Sequence, residues 1–520
     1  MDKHTILREI ISLIFASSFS DIQSIKLFVC RKYSLAAMPK NSAILAAATP
    51  EEYEFLRCML LVKPTRTLSG VAPIAVMTSP CACPHGKCLP CPGGPDHEFR
   101  SPQSYTGEEP AALRARQNEY NPYHQVNARL NQFKLLGHHV DKVELIIMGG
   151  TITARDPAYQ KWFVAECLRG MNEFFGSPSK TCNLSNLMIE NETSAVRCIA
   201  TTFETRPDWC SEEHINRMLD LGVTKVELGF QHTNDSLLAL NKRGHSVSDS
   251  VEANRLLHDA GIKVGFHVMP NLYGSCISLD QEMFDTLFTD SRFCPDFLKI
   301  YPTLVTPGTE LEKLWNIGEY ESYNEDELVD LLAYAKARIP EYVRLQRIQR
   351  DIPAKLIVSG SIHGHIRQMA QKRLSVQGKQ CRCIRCREIG RRPSTGFVEE
   401  KSISYMCCGG TEQFLSTVSG DSLIGFVRLR FPGSVFRMEL DGAALVRELH
   451  VYGSIVPLGE SGDGKDCQHR SYGRNLLFRA EETARNAGYS KIAVMSGVGV
   501  RPYYRKQGYL REGPYMIKNL

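Results

Sequence analysis

No stretch of this sequence reaches the roughly 18 apolar residues that a membrane-spanning helix needs, which excludes a conventional span. A disulfide framework is missing too. The chain has 18 cysteines in 520 residues, and several stand alone in apolar context, as Cys30, Cys58, Cys167 and Cys294 do. That pattern fits a reducing compartment in which clustered cysteines serve metal chemistry. The opening segment "MDKHTILREIISLIFASSFSDIQ" lacks the continuous apolar centre of a signal peptide. Arg8 and Glu9 interrupt Ile6, Leu7, Ile10, Ile11, Leu13 and Ile14 at helical spacing, so an amphipathic helix is expected instead. A cytoplasmic protein follows.

Charge of one sign is scarce overall, with a net charge of only +5. Its distribution is uneven. Between Arg338 and Lys401 there are fifteen Lys and Arg against five Asp and Glu, which leaves −5 for the rest of the chain. A basic segment on a mildly acidic body suits a polyanion site, the plainer reading being a solvated mixed surface. With 43% hydrophobic and 23% charged residues the composition is globular, and the length calls for two large domains plus appendages.

Residues 1–60 read as short helices. Strand-like runs follow at 71–79, 143–151, 197–204, 225–231, 263–270, 297–303 and 342–348, with helical patterns such as 249–261 and 326–339 between them. This alternation predicts an α/β fold built on a partial parallel β/α barrel. Chemistry in such folds sits at the carboxyl ends of the strands. Gly149-Gly150-Thr151, Glu204-Thr205-Arg206, Gln231 and Met269-Pro270 occupy those ends. A Cys-rich, basic break lies near 375–402. Beyond it, runs at 423–431 and 444–457, a helix over 473–487 and a strand near 491–499 predict a separate α+β domain.

Four cysteines crowd the loop "SPCACPHGKCLPCPGGP" (79–95) directly after the first barrel strand. Cys83, Cys88 and Cys91 form C-x4-C-x2-C, and Cys81 stands just outside. Three thiolates can hold three irons of a [4Fe–4S] cube and leave the fourth open. A zinc knuckle completed by Cys81 is the alternative. A second cysteine group, "QCRCIRCREIGRRP" (380–393), carries C-x-C-x2-C with interleaved arginines. Cys381, Cys383 and Cys386 suit zinc, and the fourth ligand is left open among Cys407, Cys408, His363 and His365. Metal there is expected to fix a loop that turns its guanidinium groups outward toward phosphate.

The stretches "CPHGKCLPCPGGP", "QSYTGEEPAALRARQNEYNPY", "DKVELIIMGGT", "FETRPDW", "RLQRIQRDIP", "ELHVYGS" and "SGVGVRPYYRKQGY" together resemble the catalytic subunit of Elongator and its archaeal counterparts. That family joins a radical S-adenosylmethionine (SAM) domain to a GNAT-type acetyltransferase and modifies the wobble uridine of tRNA. The resemblance implies a helical, tRNA-contacting region over 1–70, a radical SAM domain over 71–375, a zinc-binding linker over 376–410 and a GNAT domain over 411–520. It implies that Cys83, Cys88 and Cys91 hold the cluster, with Cys81 spare. It makes Gly149, Gly150, Thr151, Glu204, Arg206 and Gln231 candidates for SAM or uridine.

In the last domain the resemblance assigns acetyl-CoA to the strand residues Glu448, Leu449, His450 and Val451. Its pyrophosphate falls to a turn at Gln468, Ser471, Tyr472, Gly473 and Arg474. Ser471 stands where the family has glycine, and "MPNLYGSCIS" (269–278) departs at Asn271 to Tyr273. If position 471 needs φ > 0, serine costs on the order of 1 kcal/mol. Tyr504 is implied near the thioester and Lys142 as a lysine that reaches acetyl-CoA from the barrel side. The implied reaction takes a hydrogen from the acetyl methyl group with a 5′-deoxyadenosyl radical, joins that carbon to C5 of uridine and hydrolyses the thioester, leaving 5-carboxymethyluridine. Expected partners are the tRNA anticodon stem–loop, met by 338–401 with help from "KPTRTLSG" (63–70), an external electron donor, and a second copy or Elongator-like accessory subunits. The competing expectations are a protein lysine acetyltransferase with a structural N-terminal half, and a non-catalytic tRNA-binding protein.

Overall fold

The computed structural model describes residues 2–16, 21–62, 67, 70–97, 100–391, 396–452 and 471–520. Four short helices open the chain, Lys3–Phe15, Ile22–Lys32, Asn41–Ala46 and Pro50–Leu60. Their apolar stripes close on a small core of their own around Ile10, Val29, Ile44 and Leu56. The last helix starts on a capping box, in which Thr49 and Glu52 satisfy each other's backbone N–H.

Seven strands then build the first sheet: β1 (Ala72–Met77), β2 (Lys142–Met148), β3 (Arg197–Thr205), β4 (Lys225–Gln231), β5 (Lys263–Val268), β6 (Phe297–Ile300) and β7 (Arg344–Ile348). They pair in sequence order and all in parallel, the open barrel that the strand–helix alternation predicts. Period-two side chains explain its two faces. On β2 the residues Val143, Leu145 and Ile147 are fully buried toward the helices, while Lys142, Glu144, Ile146 and Met148 share the inner face. On β4 the outward set is Val226, Leu228 and Phe230, and the inward set is Lys225, Glu227, Gly229 and Gln231. The inner face is thus polar and charged, unlike the branched apolar filling of closed β/α barrels.

The second sheet contains β8 (Val398–Cys407), β9 (Gly410–Ser419), β10 (Ser422–Phe431), β11 (Ala443–Val451), β12 (Lys491–Val494), β13 (Leu510–Glu512) and β14 (Tyr515–Asn519). Its order is β13-β14-β12-β11-β10-β9-β8, antiparallel except for the parallel pair β11–β12. The linker expected over 376–410 is therefore shorter than the sequence suggests, because 398–407 is an edge strand of this sheet. The outward half of β8 is largely exposed, which removed the apolar alternation that would have marked it.

The helix Tyr472–Asn486 covers one face of the sheet through Leu476, Leu477, Ala480 and Ala484. The other face shares a continuous apolar core with the barrel, in which Phe414, Leu423, Phe426 and Leu445 join Val264, Phe266 and Leu298. Two glycines of "SGVGV" set the closeness of docking. A Cβ on Gly497 would meet the Ile199 carbonyl oxygen at 1.9 Å, and one on Gly499 would meet Arg197 Cβ at 2.6 Å. Arginines cross the same interface. Arg447 grips Asp296 through Nη1 at 2.8 Å and Nη2 at 2.6 Å and reaches Glu412 at 2.8 Å, all fully buried.

Candidate active site

A cavity of about 850 Å³ runs along the inner face of the barrel. At the carboxyl ends of the strands it is lined by Cys83, Cys88, Cys91, Gly150, Thr151, Glu204, Arg206 and Gln231. Cys81 is not among the lining residues. The sequence-derived trio and three of the strand-end candidates beyond Gly150-Thr151 therefore meet in one place. Gly149 sits just behind them. Its φ of 136° and a would-be Cβ only 2.0 Å from Thr78 Oγ1 allow no side chain. A Cβ on Gly150 would lie 3.8 Å from Cys83 Sγ, so glycine keeps the space beside that sulfur open.

The three thiols are prepared in different ways. Arg243 Nη1 donates to Cys88 Sγ at 3.0 Å, His85 Nε2 lies 3.0 Å from the same sulfur, and Gln103 Nε2 donates to Cys91 Sγ at 3.1 Å. Burial, reinforced by Arg206 and Arg243, pushes His85 down to about 4, so its ring is neutral. Burial and the neighbouring Cys88 push the Cys91 thiol up to about 11, and burial also raises Cys83. Only a bound cation makes such thiols into thiolates at neutral pH. This trio is absent from the groups of donors that lie within 4.8 Å of one another, as expected when each thiolate holds a different iron rather than a shared ion. The residues present fit a cluster. Arg243, Gln103 and His85 carry no sequence signal that would have singled them out.

Several candidates are engaged by their neighbours. Glu204 accepts from the Tyr105 hydroxyl at 2.6 Å. Arg206 donates Nε and Nη2 to Asp208 at 2.9 Å each, and Nη1 and Nη2 to the carbonyls of Arg243 and Gly244. Its guanidinium fastens the segment that delivers Arg243, leaving little of it for a ligand. Gln231 has φ 70° at the end of β4, and its buried Oε1 has no partner among the described residues. Deeper in, Lys225 bridges Glu144 at 2.8 Å and Glu227 at 3.4 Å, while Lys299 and His267 hold the other Glu227 oxygen. Burial alone would raise the Glu227 carboxyl, but Lys299, Lys225 and His267 together hold it well below its usual value.

At the far end Arg344 and Glu388 line the cavity and pair with each other, Nε to Oε1, at 2.9 Å. Arg344 also hydrogen-bonds Tyr452, and His450 lies within electrostatic reach of Glu388 and Glu144. The second sheet thus packs behind Arg344 and Glu388 at the base of the barrel. Lys142, at the first position of β2, is on this same end and face, and burial lowers its ammonium.

The coenzyme candidates also gather. β12 stops opposite Val446, so among the described residues one backbone edge of β11 from Arg447 to Val451 has no neighbouring strand. Glu448 accepts from Arg428 at 2.9 Å, and Leu449 and Val451 are partly buried. The helix that begins at Tyr472 and Gly473 points its N-terminus here. A Cβ on Gly473 would touch the Tyr503 hydroxyl at 3.4 Å and Val451 at 3.7 Å. Tyr504 is buried behind Tyr503, ring centroids 5.1 Å apart. Ser471 has φ 62° and ψ 7°, and Arg474 Nη2 reaches its hydroxyl at 3.1 Å. Position 471 does require the left-handed region. Asn271 likewise has φ 61°, a conformation asparagine tolerates. Gln468 lies outside the described residues, as does most of 63–70.

The basic segment behaves differently from expectation. Arg387 is 1% exposed and pairs with Glu341, Arg382 pairs with Glu341 and Asp421, and Arg385 lines the cavity and donates to the Gln346 carbonyl. Arg385 and Arg387 turn inward while the Arg382 side chain stays 40% exposed, on a loop where Cys381, Cys383 and Cys386 converge within 4.8 Å of one another. Among the candidate fourth ligands, His363 pairs with Glu325 at 2.7 Å, and Cys407 and Cys408 group with His258 instead. The side chain near the trio is the fully buried Lys336, its Nζ 4.0 Å from Cys386 Sγ.

Comparison with known proteins covers nearly the whole chain. Residues 78–279 match the radical SAM superfamily, 295–375 the radical SAM C-terminal domain and 3–68 the ELP3 N-terminal domain. The tRNA uridine(34) acetyltransferase of Methanocaldococcus infernus is 47% identical over 512 residues, covering 96% of this chain and 95% of its own. Elongator complex protein 3 of Homo sapiens is 42% identical over 516 residues, covering 96% and 93%. The solved structure of the archaeal Methanocaldococcus infernus Elp3, lacking its N-terminal residues 1–46, superposes with a TM-score of 0.76 at 43% identity, covering 87% of this chain and all of that one.

Proposed function

The chain belongs to the family of the tRNA uridine(34) acetyltransferases and Elongator complex protein 3, and from that premise we propose how its cavity works. It is a radical SAM enzyme that modifies the wobble uridine of tRNA. The finer reading is that it places a carboxymethyl group on C5 of that uridine with carbon from acetyl-CoA. Cys83, Cys88 and Cys91 would hold the [4Fe–4S] cluster, and Gly150 leaves room beside it for SAM. When bound, that pair supplies a 5′-deoxyadenosyl radical able to take hydrogen from an acetyl methyl group.

The observation that carries this reading is that one cavity is lined by the cysteine trio at one end and by Arg344 and Glu388, which adjoin the strand β11, at the other. A methyl C–H must be held within about 3–3.5 Å of its partner, so both substrates need a common enclosure. In this reading the unpaired edge of β11 binds the pantetheine amides, and the helix N-terminus at Tyr472 and Gly473 binds the pyrophosphate. Tyr504 and Lys142 flank the acetyl group. The inner-face ladder Glu144–Lys225–Glu227–Lys299 fixes charges that orient the base and exclude bulk water. Zinc on Cys381, Cys383 and Cys386 is supported by their convergence, with the Lys336 ammonium offsetting thiolate charge. The name of the eukaryotic relatives supports accessory subunits, and an external one-electron donor completes the reaction. No helix among the described residues is long and apolar enough to cross a membrane.

Anaerobic reconstitution followed by reaction with tRNA, SAM, acetyl-CoA and a reductant tests the proposal. Release of 5′-deoxyadenosine together with a mass gain on the wobble uridine is expected. Both are lost in Cys83→Ala and retained in Cys81→Ala. Acetylation of protein lysine without iron or SAM, or tRNA binding with no turnover, overturns it.

A further inference from the structure

The base of the barrel holds a second donor cluster, remote from the cavity and unused by the chemistry above. His258, Cys407 and Cys408 place one donor atom each so that all three lie within 4.8 Å of one another, and all three residues are buried. They come from both domains. His258 stands near the end of the barrel helix Val247–Asp259, and the cysteines form the turn between β8 and β9. His258 Nδ1 is 3.4 Å from Cys407 Sγ, and the two sulfurs are 3.6 Å apart.

Neighbouring residues of a strand point to opposite faces, so two adjacent cysteines should diverge. They converge here because Cys408 adopts φ 51°, a conformation that costs a non-glycine residue about 1–2 kcal/mol. Gly409 is left-handed as well, at φ 75°, so Cys408 and Gly409 together make the two-residue turn between β8 and β9. Cys294, from the segment before β6, has φ 40°; its thiol donates to the Met406 carbonyl at 3.8 Å and its own carbonyl lies 3.9 Å from Cys407 Sγ, so it borders the three-donor group without belonging to it.

We propose that His258, Cys407 and Cys408, with the bordering Cys294 thiol rotating in as fourth donor, form a buried zinc site that staples the second sheet to the barrel. With zinc–sulfur bonds of about 2.3 Å and zinc–nitrogen bonds of about 2.0 Å, tetrahedral ligand edges are roughly 3.5–3.8 Å. The two measured edges are already near those values. The surroundings are those of a metal site rather than of packed thiols. Nε2 of His258 is fully buried without a hydrogen-bond partner among the described residues and lies 4.0 Å from the Asp296 carboxylate, while Nδ1 is shared between Cys407 Sγ and Glu412 Oε1, each at 3.4 Å. Asn254 Nδ2 donates to Cys408 Sγ at 3.0 Å. Arg430 donates to the carbonyls of Cys407 and Cys408 at 3.0 and 3.3 Å, which balances the charge of thiolates. Such a staple would fix β11 against the base of the barrel.

The test counts metals in the anaerobically purified full chain. Cys407→Ser/Cys408→Ser is expected to hold one zinc equivalent fewer than the unsubstituted chain, with iron unchanged. Iron content reports separately on the cluster, so failure of one site does not mimic failure of the other. Equal zinc in both chains overturns the proposal. A reciprocal measurement leaves the buried thiols intact. The full chain with Cys381→Ser, Cys383→Ser and Cys386→Ser, stripped of zinc and given cobalt(II), is expected to bind one equivalent with thiolate charge-transfer and tetrahedral ligand-field absorption. Absence of those bands overturns the proposal as well.

Discussion

Arg243 donates its Nη1 to Cys88 Sγ at 3.0 Å while Arg206 holds the Arg243 carbonyl from the opposite side. One cation is thereby fixed on a sulfur that the proposed function gives to iron. Reduction of a cluster adds negative charge, which a guanidinium on a ligand sulfur stabilises. Arg243→Gln is expected to retain iron and to shift the midpoint potential negative by on the order of 50 mV, the one-electron equivalent of about 1 kcal/mol. A redox titration followed by electron paramagnetic resonance reads the shift. An unchanged potential would show that Arg243 only packs.

Ser471 is the residue whose departure from the family pattern has a measurable consequence. With φ 62°, it bears a strain of about 1 kcal/mol that glycine would not. Ser471→Gly should raise the thermal midpoint, and Ser471→Val should lower it. If the serine hydroxyl contributes a phosphate contact instead, Ser471→Gly will weaken coenzyme A binding in calorimetry without stabilising the chain.

The strand–helix alternation made the barrel legible, because each strand shows period-two burial and each crossover helix its own apolar stripe. Spacing alone left the cysteine loop open between an iron–sulfur cluster and a zinc knuckle, and the family resemblance favoured the cluster. Arg243, Gln103 and His85 were not legible, since nothing local marks a residue whose partner is more than ten positions away or lies on the same turn by chance of folding. The strands β8 and β9 escaped notice for another reason. "VEEKSISYMC" is mostly exposed, and the buried polar side of β9 pairs Glu412 with interface arginines, so neither shows the apolar run that signals a strand. The arginines over 382–387 looked like a phosphate-facing comb, and only the folded loop reveals Glu341 and Asp421 beside Arg382 and Arg387 and turns Arg385 into the cavity.

Arg447 is the point where the two domains depend on one side chain. It satisfies Asp296 and Glu412 together, all three without solvent exposure. Arg447→Met leaves Asp296 only Arg428, at 3.4 Å, and Glu412 only Arg430, at 3.1 Å, so a loss of about 3 kcal/mol is expected, the low end for a broken buried pair. The expected readout is an earlier denaturation midpoint and proteolytic cleavage between the domains under conditions in which the unsubstituted chain resists.

Acid should act first through a histidine. His245 is lowered from 6.5 to about 3 by burial, then by Arg243 and Arg206. Its Nε2 faces the Phe230 carbonyl at 3.4 Å. A folded-state value below the unfolded one means the unfolded chain takes up the proton first. The stability is therefore complete above pH 6.5 and declines as pH falls toward 3, by up to about 1.4 kcal/mol per unit. Urea unfolding at pH 7 and pH 5.5 should show this loss, and His245→Gln should reduce the slope by one proton.

The phosphate-binding expectation moves inward with the arginines. Arg385 lines the cavity, and burial followed by Arg367, Arg344 and Arg391 brings its guanidinium down to about 10. Like charges so confined gain from an anion between them. A loop nucleotide splayed into the mouth would bring one phosphate to this rim. Arg385→Gln should weaken binding of an anticodon stem–loop about tenfold and flatten the dependence of log K on log salt by about one. Fluorescence anisotropy over a salt series measures both, and an Arg385→Gln slope equal to that of the unsubstituted chain would assign this guanidinium to the fold rather than to tRNA.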